Sequence, residues 1–205
     1  YLFVSNIGND TVTVFDALNP LSVREIGSTA VGTSPTGIAV QGNYAYVANS
    51  NQSSMSVVDI GTPSAPVQVG SVIIGSNPTK VAVQGNYAYV TNNGDSTVSI
   101  VNIANPTTPI ELGTAPTASS PTGVAVAGRY VFVTAQGGNA LSIIDANTPT
   151  AAYEAKRVTI AGAPIDVKVS GRYAYVVTNS TNRVWTVDLG GTDTNTLIAG
   201  SIEAG

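Results

Sequence analysis

Carboxylates recur at one fixed spacing along this 205-residue chain. Asp16, Asp59, Asp145 and Asp188 stand at multiples of forty-three residues, with Asn102 filling the remaining place. Oxygen ligands of this type could hold Ca²⁺ if several converged. One carboxylate per repeated unit instead spreads them around an array, which does not build the close carboxylate pair of glycoside hydrolysis. The same side chains accept backbone N–H bonds in a turn, a role that Asn102 serves equally well. All five are therefore expected to cap the turn that follows a strand.

The chain has no His and no Cys. That removes the commonest general base, the commonest metal ligand, thiol nucleophiles and disulfides. Serines are plentiful, but none stands in a motif with a base, and Lys80, Lys156 and Lys168 have no motif context. Covalent or hydrolytic chemistry needs an activated nucleophile or a metal-activated water. The reading is non-enzymatic, with no cofactor and no metal expected.

Eight basic and twelve acidic residues leave a net charge of −4, and charged residues make up only 10% of the chain. Nucleic acid requires clustered positive charge, which is absent, so that partner is excluded. No apolar run approaches the roughly 20 residues of a membrane-spanning helix. A surface solubilised by hydroxyls and amides fits exported β-proteins. Three Asn-x-Ser/Thr acceptors, at Asn9, Asn51 and Asn179, fall in polar loops and are candidate glycosylation sites in an exported protein. The chain opens at Tyr1, already within a strand pattern, and is expected to represent part of a longer or processed polypeptide.

The elements that carry these residues follow from the same period. GNYAYV begins at Gly42 and Gly85, GRYVFV at Gly128 and GRYAYV at Gly171. An unslipped repeat means one structural unit copied, each burying its apolar face against its neighbours. A first strand starts on a proline, as in Pro35–Val40, Pro78–Val83, Pro121–Val126 and Pro164–Val169. Proline suits a strand's first residue because its missing N–H costs no ladder bond. Gly42, Gly85, Gly128 and Gly171 then supply the positive φ of a tight turn.

Tyr44 to Ala48 reads as the second strand, with copies at Tyr1, Tyr87, Tyr130 and Tyr173. Its tyrosines are expected to pack between units. The third strand runs Met55–Ile60, with copies at Val12–Phe15, Val98–Ile103, Leu141–Ile144 and Val184–Leu189. Trp185 within the last is expected in the interblade core. The fourth is ragged, clearest at Val67–Ile74, weaker at Leu21–Ile26 and Ile110–Leu112, and placed around Leu197–Ile202 in the last unit. Four strands in about 40 residues, with no helical period, predict an all-β fold: a β-propeller of four-stranded antiparallel blades with a 43-residue repeat. A parallel β-helix is the structural rival, disfavoured by the hairpin turns.

The units approximate 1–34, 35–77, 78–120, 121–163 and 164–205, one propeller or propeller segment. There are five second strands but only four proline-led first strands. Five consecutive blades of a longer ring are expected, with a closed five-bladed ring or completion by a neighbouring subunit as alternatives.

Tyr89-Val-Thr-Asn92, with its variant Tyr46-Val-Ala-Asn49, resembles the YVTN family of β-propeller repeats, and Met55-Ser-Val-Val-Asp-Ile60 is similar to the related LVIVD repeats. The resemblance implies an exported location, as in archaeal surface-layer and bacterial extracellular proteins. It leaves activity open, since some similar propellers carry enzymatic or electron-transfer functions. The combined expectation is an extracellular or cell-surface structural or adhesive module. Its expected partners are other proteins, copies of itself or cell-surface glycans. A soluble protein- or carbohydrate-binding propeller is the alternative, to be favoured by a concave face gathering tyrosines and amides at one site. A lactonase-like hydrolase is the remoter one.

Overall fold

The computed structural model describes residues 1–190 and 198–203. Its nineteen strands form five antiparallel meanders, one per unit of the repeat. Blade 1 has three strands, β1 (Leu2–Asn6), β2 (Thr11–Asp16) and β3 (Arg24–Ala30). Blade 2 holds β4 (Pro35–Gln41), β5 (Tyr44–Asn49), β6 (Ser54–Asp59) and β7 (Val67–Ile73). Blade 3 holds β8 (Pro78–Gln84), β9 (Tyr87–Asn92), β10 (Thr97–Asn102) and β11 (Ile110–Pro116). Blade 4 holds β12 (Pro121–Ala127), β13 (Tyr130–Ala135), β14 (Ala140–Asp145) and β15 (Tyr153–Thr159), with a 3₁₀ turn at Pro149–Ala151. Blade 5 holds β16 (Pro164–Ser170), β17 (Tyr173–Thr178), β18 (Arg183–Asp188) and β19 (Ile198–Glu203).

Alternation along each second and third strand sends successive side chains to opposite faces, and both faces are apolar. Each interior face is buried by the next blade. Tyr46, Ala48, Met55 and Val57 of blade 2 pack against Val81, Ala88, Val90, Val101 and Ile103 of blade 3. One period on, Tyr89, Val98 and Ile100 meet Val131, Val133 and Ile144 of blade 4. Phe132, Leu141 and Ile143 in turn meet Val167, Ala174, Val176 and Val187 of blade 5. The hydrophobic core is thus a series of interblade layers, each fully buried aliphatic side chain stabilising by about 1.5–3 kcal/mol.

The fourth strands differ most from expectation. Blade 1's outer strand is Arg24–Ala30 rather than Leu21–Ile26, and Leu21 is 95% exposed. The outermost strand needs only one sheet neighbour, so its hydrophobic signal is weak. Its register instead depends on a glycine. A Cβ on Gly27 would lie 2.6 Å from Pro63 O, and one on Gly70 would overlap Pro106 O in the next blade. In blade 5 the strand extends over Ile198–Glu203, and Leu197 lies outside the described residues.

The terminal Asn of the second strand has a definite job. Asn49 Nδ2 donates to Ser54 Oγ at 3.0 Å and Ser56 Oγ at 2.9 Å, and Asn92 Nδ2 to Thr97 Oγ1 at 3.0 Å and Ser99 Oγ at 2.7 Å. Asn6 does the same with Thr11 and Thr13. One carboxamide thus satisfies two hydroxyls on the third strand beside the interblade core. Blade 4 has Ala135 opposite Ala140 and lacks the clamp, while its Ser142 Oγ accepts the Ala118 N–H at 3.0 Å as Ser56 and Ser99 accept those of Gly32 and Gly75. Replacing Asn92 with Ala removes both bonds while Thr97 and Ser99 remain. The expected loss is about 1–3 kcal/mol of unfolding free energy. Urea denaturation measures it, and an unchanged midpoint would refute the clamp.

Candidate functional site

The third-strand ends carry recurring Asx turns. Asp16 Oδ1 accepts Leu18 N–H at 3.2 Å, Asp59 accepts Gly61 at 2.8 Å, Asn102 accepts Ala104 at 2.9 Å, Asp145 accepts Asn147 at 3.0 Å and Asp188 accepts Gly190 at 2.8 Å. The adjacent hairpin glycines have φ of 59° at Gly42 and Gly85, 60° at Gly128 and 55° at Gly171. Turn and cap are tied together by backbone bonds such as Ile103 N to Asn86 O and Ala146 N to Arg129 O, both 2.9 Å. Antiparallel connectivity puts all these features at one end of the blades. The loops bearing Asn9, Asn51 and Asn179 lie at the other, with all three residues exposed. Among the described residues, no group of three or more acidic side chains converges to hold a metal.

At the turn end, blades 3 and 4 enclose a groove of about 410 Å³. Asn86, Tyr87 and Tyr89 line one side, and Arg129, Asn147 and Pro149 the other. Gln84 Nε2 donates to Gly128 O at 2.9 Å and ties the two walls together. Tyr89 is 4% exposed and packs in the interblade core. Burial, with a smaller effect from Tyr87, raises the Tyr89 phenol above its ordinary pKa, so it remains a neutral hydroxyl. Among the described residues, neither phenol hydroxyl has a protein hydrogen-bond partner, nor do the carboxamides of Asn86 and Asn147.

Arg129 is held in place from two sides. Its Nη2 lies 3.0 Å from Asp145 Oδ2 and donates to Tyr130 Oη at 2.7 Å. Its guanidinium carbon sits 4.8 Å from the Tyr130 ring centroid. The Tyr130 bond, ahead of the Asp145 charge, pushes its pKa further up. A braced planar cation, the half-buried Tyr87 and two unengaged carboxamides therefore line one concave space, with Tyr89 largely buried beside them. Such groups stack on the C–H faces of a sugar ring and bond its hydroxyls in both directions.

The other described interfaces lack this set. Blade 2 presents Tyr44 and Tyr46, but the position of Arg129 is occupied there by Asn86. Blade 4 faces Arg172 with Phe132 in place of the second phenol. The tyrosine readings also divide. Tyr46 and Tyr89 are packed between blades, whereas Tyr175 on blade 5 is 39% exposed. Trp185 is half-buried against the layer between blades 4 and 5, and its indole N–H has no partner among the described residues. Sequence reasoning did not select Asn86, Arg129 or Asn147. The available signal was the change from Gly-Asn to Gly-Arg turns between blades 3 and 4.

Arg172 holds the Asp188 carboxyl below the usual carboxylate range, with the Gly190 N–H adding to the effect. A lowered folded pKa gives stability that is complete above the unfolded value, about 3.9, and lost as pH falls through the folded one. Asp188→Asn should lower the melting temperature at pH 7 and have no effect once the carboxyl is protonated. The two melting curves should converge on acidification. Parallel curves would contradict the assignment.

Comparison with known proteins addresses the family and the fold. A family model described as the LVIVD repeat matches residues 34–73, 76–117, 120–159 and 161–188. No curated protein matches the chain. A solved periplasmic gluconolactonase from Pseudomonas aeruginosa aligns with TM-score 0.82 at 17% identity, covering 100% of this chain and 68% of that one. A protein from Lactobacillus plantarum gives 0.79 at 14%, covering 94% and 62%. Hydrazine synthase from Kuenenia stuttgartiensis gives 0.56 at 18%, covering 93% and 74%. The chain therefore spans about two thirds of the length of such propellers.

These likenesses correct one expectation. The exclusion of an enzyme, drawn from missing His, Cys and motifs, does not hold, because two of these similar propellers are enzymes by name. The physical reason is that a propeller assembles a site from residues on different blades, which a linear motif search does not bring together. At these identities the shared feature is the fold. Four tandem matches covering most of the sequence, each falling on one described blade, identify the chain as a member of the LVIVD repeat family.

Proposed function

We propose that this chain is a carbohydrate-binding propeller that takes a neutral saccharide in the groove between blades 3 and 4. The observation that carries the reading is the concentration of Tyr87, Tyr89, Asn86, Asn147 and a braced Arg129 around one space of about 410 Å³. That volume lies within the range of small-molecule sites, roughly 300–1,000 Å³. Arg129 is neutralised by Asp145, so the groove favours hydroxyls over a net charge. We prefer this to the assembly role suggested by composition, because a defined cluster of unengaged hydrogen-bonding groups supports it. Export accords with the low charge content and with the exposed glycosylation acceptors at Asn9, Asn51 and Asn179.

A second reading, lactone hydrolysis, is favoured by the likeness of the whole chain to the Pseudomonas gluconolactonase. It would appear as opening of glucono-δ-lactone above the spontaneous rate in a pH-stat assay. A rate equal to buffer would remove it.

Saturation-transfer NMR with glucose, galactose, N-acetylglucosamine and cellobiose tests the main reading. At least one sugar should receive saturation from the wild type. The Asn86→Ala, Asn147→Ala double variant should weaken that sugar's binding by about tenfold, the scale of two lost hydrogen bonds. Both side chains are exposed, so the fold should be retained. No saturable sugar, or equal binding by the variant, would refute the groove as a saccharide site.

A further inference from the structure

A second cavity lies along the innermost strands, outside the groove. It measures about 410 Å³ and is lined by β8, β12 and β16 with Ile38 of β4. Most of its wall is Val and Ala. Among the described lining residues, Lys80, Asp166 and Lys168 are the ionisable ones, and all three are exposed. The valines are packed into the interblade layers, so the recess is mainly polar, with two positive charges and one negative charge along it in a chain whose net charge is −4.

The backbone makes specific room for these groups. Position 37 and its repeats read Gly37, Lys80, Gly123 and Asp166. A Cβ on Gly37 would stand 2.6 Å from Lys80 Cα, and one on Gly123 would stand 2.6 Å from Asp166 Cα and 2.7 Å from its Oδ1. Lys80 and Asp166 are therefore each backed by a glycine in the preceding blade, whereas the residue one period before Lys168 is Ala125. The strands are also held in register at this level. Thr36 Oγ1 donates to Pro78 O at 3.1 Å, Thr79 Oγ1 to Pro121 O at 3.4 Å and Thr122 Oγ1 to Pro164 O at 3.2 Å.

The charges do not satisfy one another. Four arginines, Arg24, Arg129, Arg157 and Arg172, pair with carboxylates. No ion pair within 4.0 Å joins Lys80 or Lys168 to Asp166 among the described residues. Asp166 Oδ1 accepts the Val167 N–H at 3.0 Å, and Oδ2 has no partner among the described residues. A solvated pair of lysines is the ordinary alternative. Against it stands their placement: two of the chain's three lysines line one recess, beside an acid with which neither pairs.

We propose that this inner cavity binds a sugar carboxylate, with Lys80 and Lys168 taking the carboxylate and Asp166 accepting a ring hydroxyl. The two ammoniums supply charge-assisted donors, and Asp166 disfavours a bare, multiply charged anion. This site is separate from the groove, and either can fail without the other.

Isothermal titration with glucuronate, glucose and inorganic phosphate tests it, since glucuronate and glucose differ only in the carboxylate. Wild type should bind glucuronate at least about tenfold more tightly than glucose or phosphate. Lys80→Gln with Lys168→Gln, which keeps chain length and removes charge, should reduce glucuronate affinity by about tenfold or more at unchanged melting temperature. The Asn86→Ala, Asn147→Ala groove variant should retain it. Absent glucuronate binding, equal affinity in the lysine variant, or loss in the groove variant alone would each overturn the assignment. Phosphate binding as tightly as glucuronate would overturn the role of Asp166.

Discussion

Each blade of this protein buries its apolar faces against its neighbours, and that nearest-neighbour burial is the constraint on which everything else depends. A single four-stranded meander with valines on both faces has no interior of its own. Stacking creates one, as when Met55 and Val57 of one blade meet Val90 and Val101 of the next. Burial of this kind makes stability approximately a sum over units and interfaces. It also explains why the period does not slip. An inserted residue in a strand would turn every following side chain to the wrong face.

The interblade layers are apolar, yet buried hydroxyls lie beside them. Ser54, Ser56 and Ser99 are fully buried, where an unbonded hydroxyl is costly. A carboxamide at the end of the preceding strand resolves this by donating to two of them at once. Blade 5 handles the position differently. Thr178 stands in place of the Asn, with its Oγ1 bonding Thr181 and Arg183, and Trp185 replaces the buried Ser. Blade identity is therefore written in the polar positions as much as in the apolar ones.

Most of the architecture was legible in the chain because its causes are local. A proline that opens a strand, a glycine at φ near 59° and an Asp that bonds the N–H two residues on all act within a few positions. The outer strand of blade 1 was misplaced by its hydrophobic residues, since Leu21 faces solvent and Gly27 sets the fit against the next blade. The candidate sites were not legible, because they are products of juxtaposition. Asn86 and Asn147 lie sixty-one residues apart and meet only when two blades stack. Lys80 and Asp166 come together two periods apart on a common wall. Their signal is a departure from the repeat, such as Lys where the preceding unit has Gly. The absent histidine carried less information than it promised, because catalysis on such folds does not require a contiguous motif.

The unslipped period has a consequence for heredity. Equivalent points in successive units lie at equal distances along the coding sequence, so homologous exchange between misaligned copies adds or removes one whole blade in frame. The junction formed is again a strand meeting its usual partner, with the Asx turn intact on either side. Loops in most folds evolve by small insertions; here the natural increment of variation is a complete layer of core. The number of blades and the pairing of unlike blades can thus change in a single genetic step.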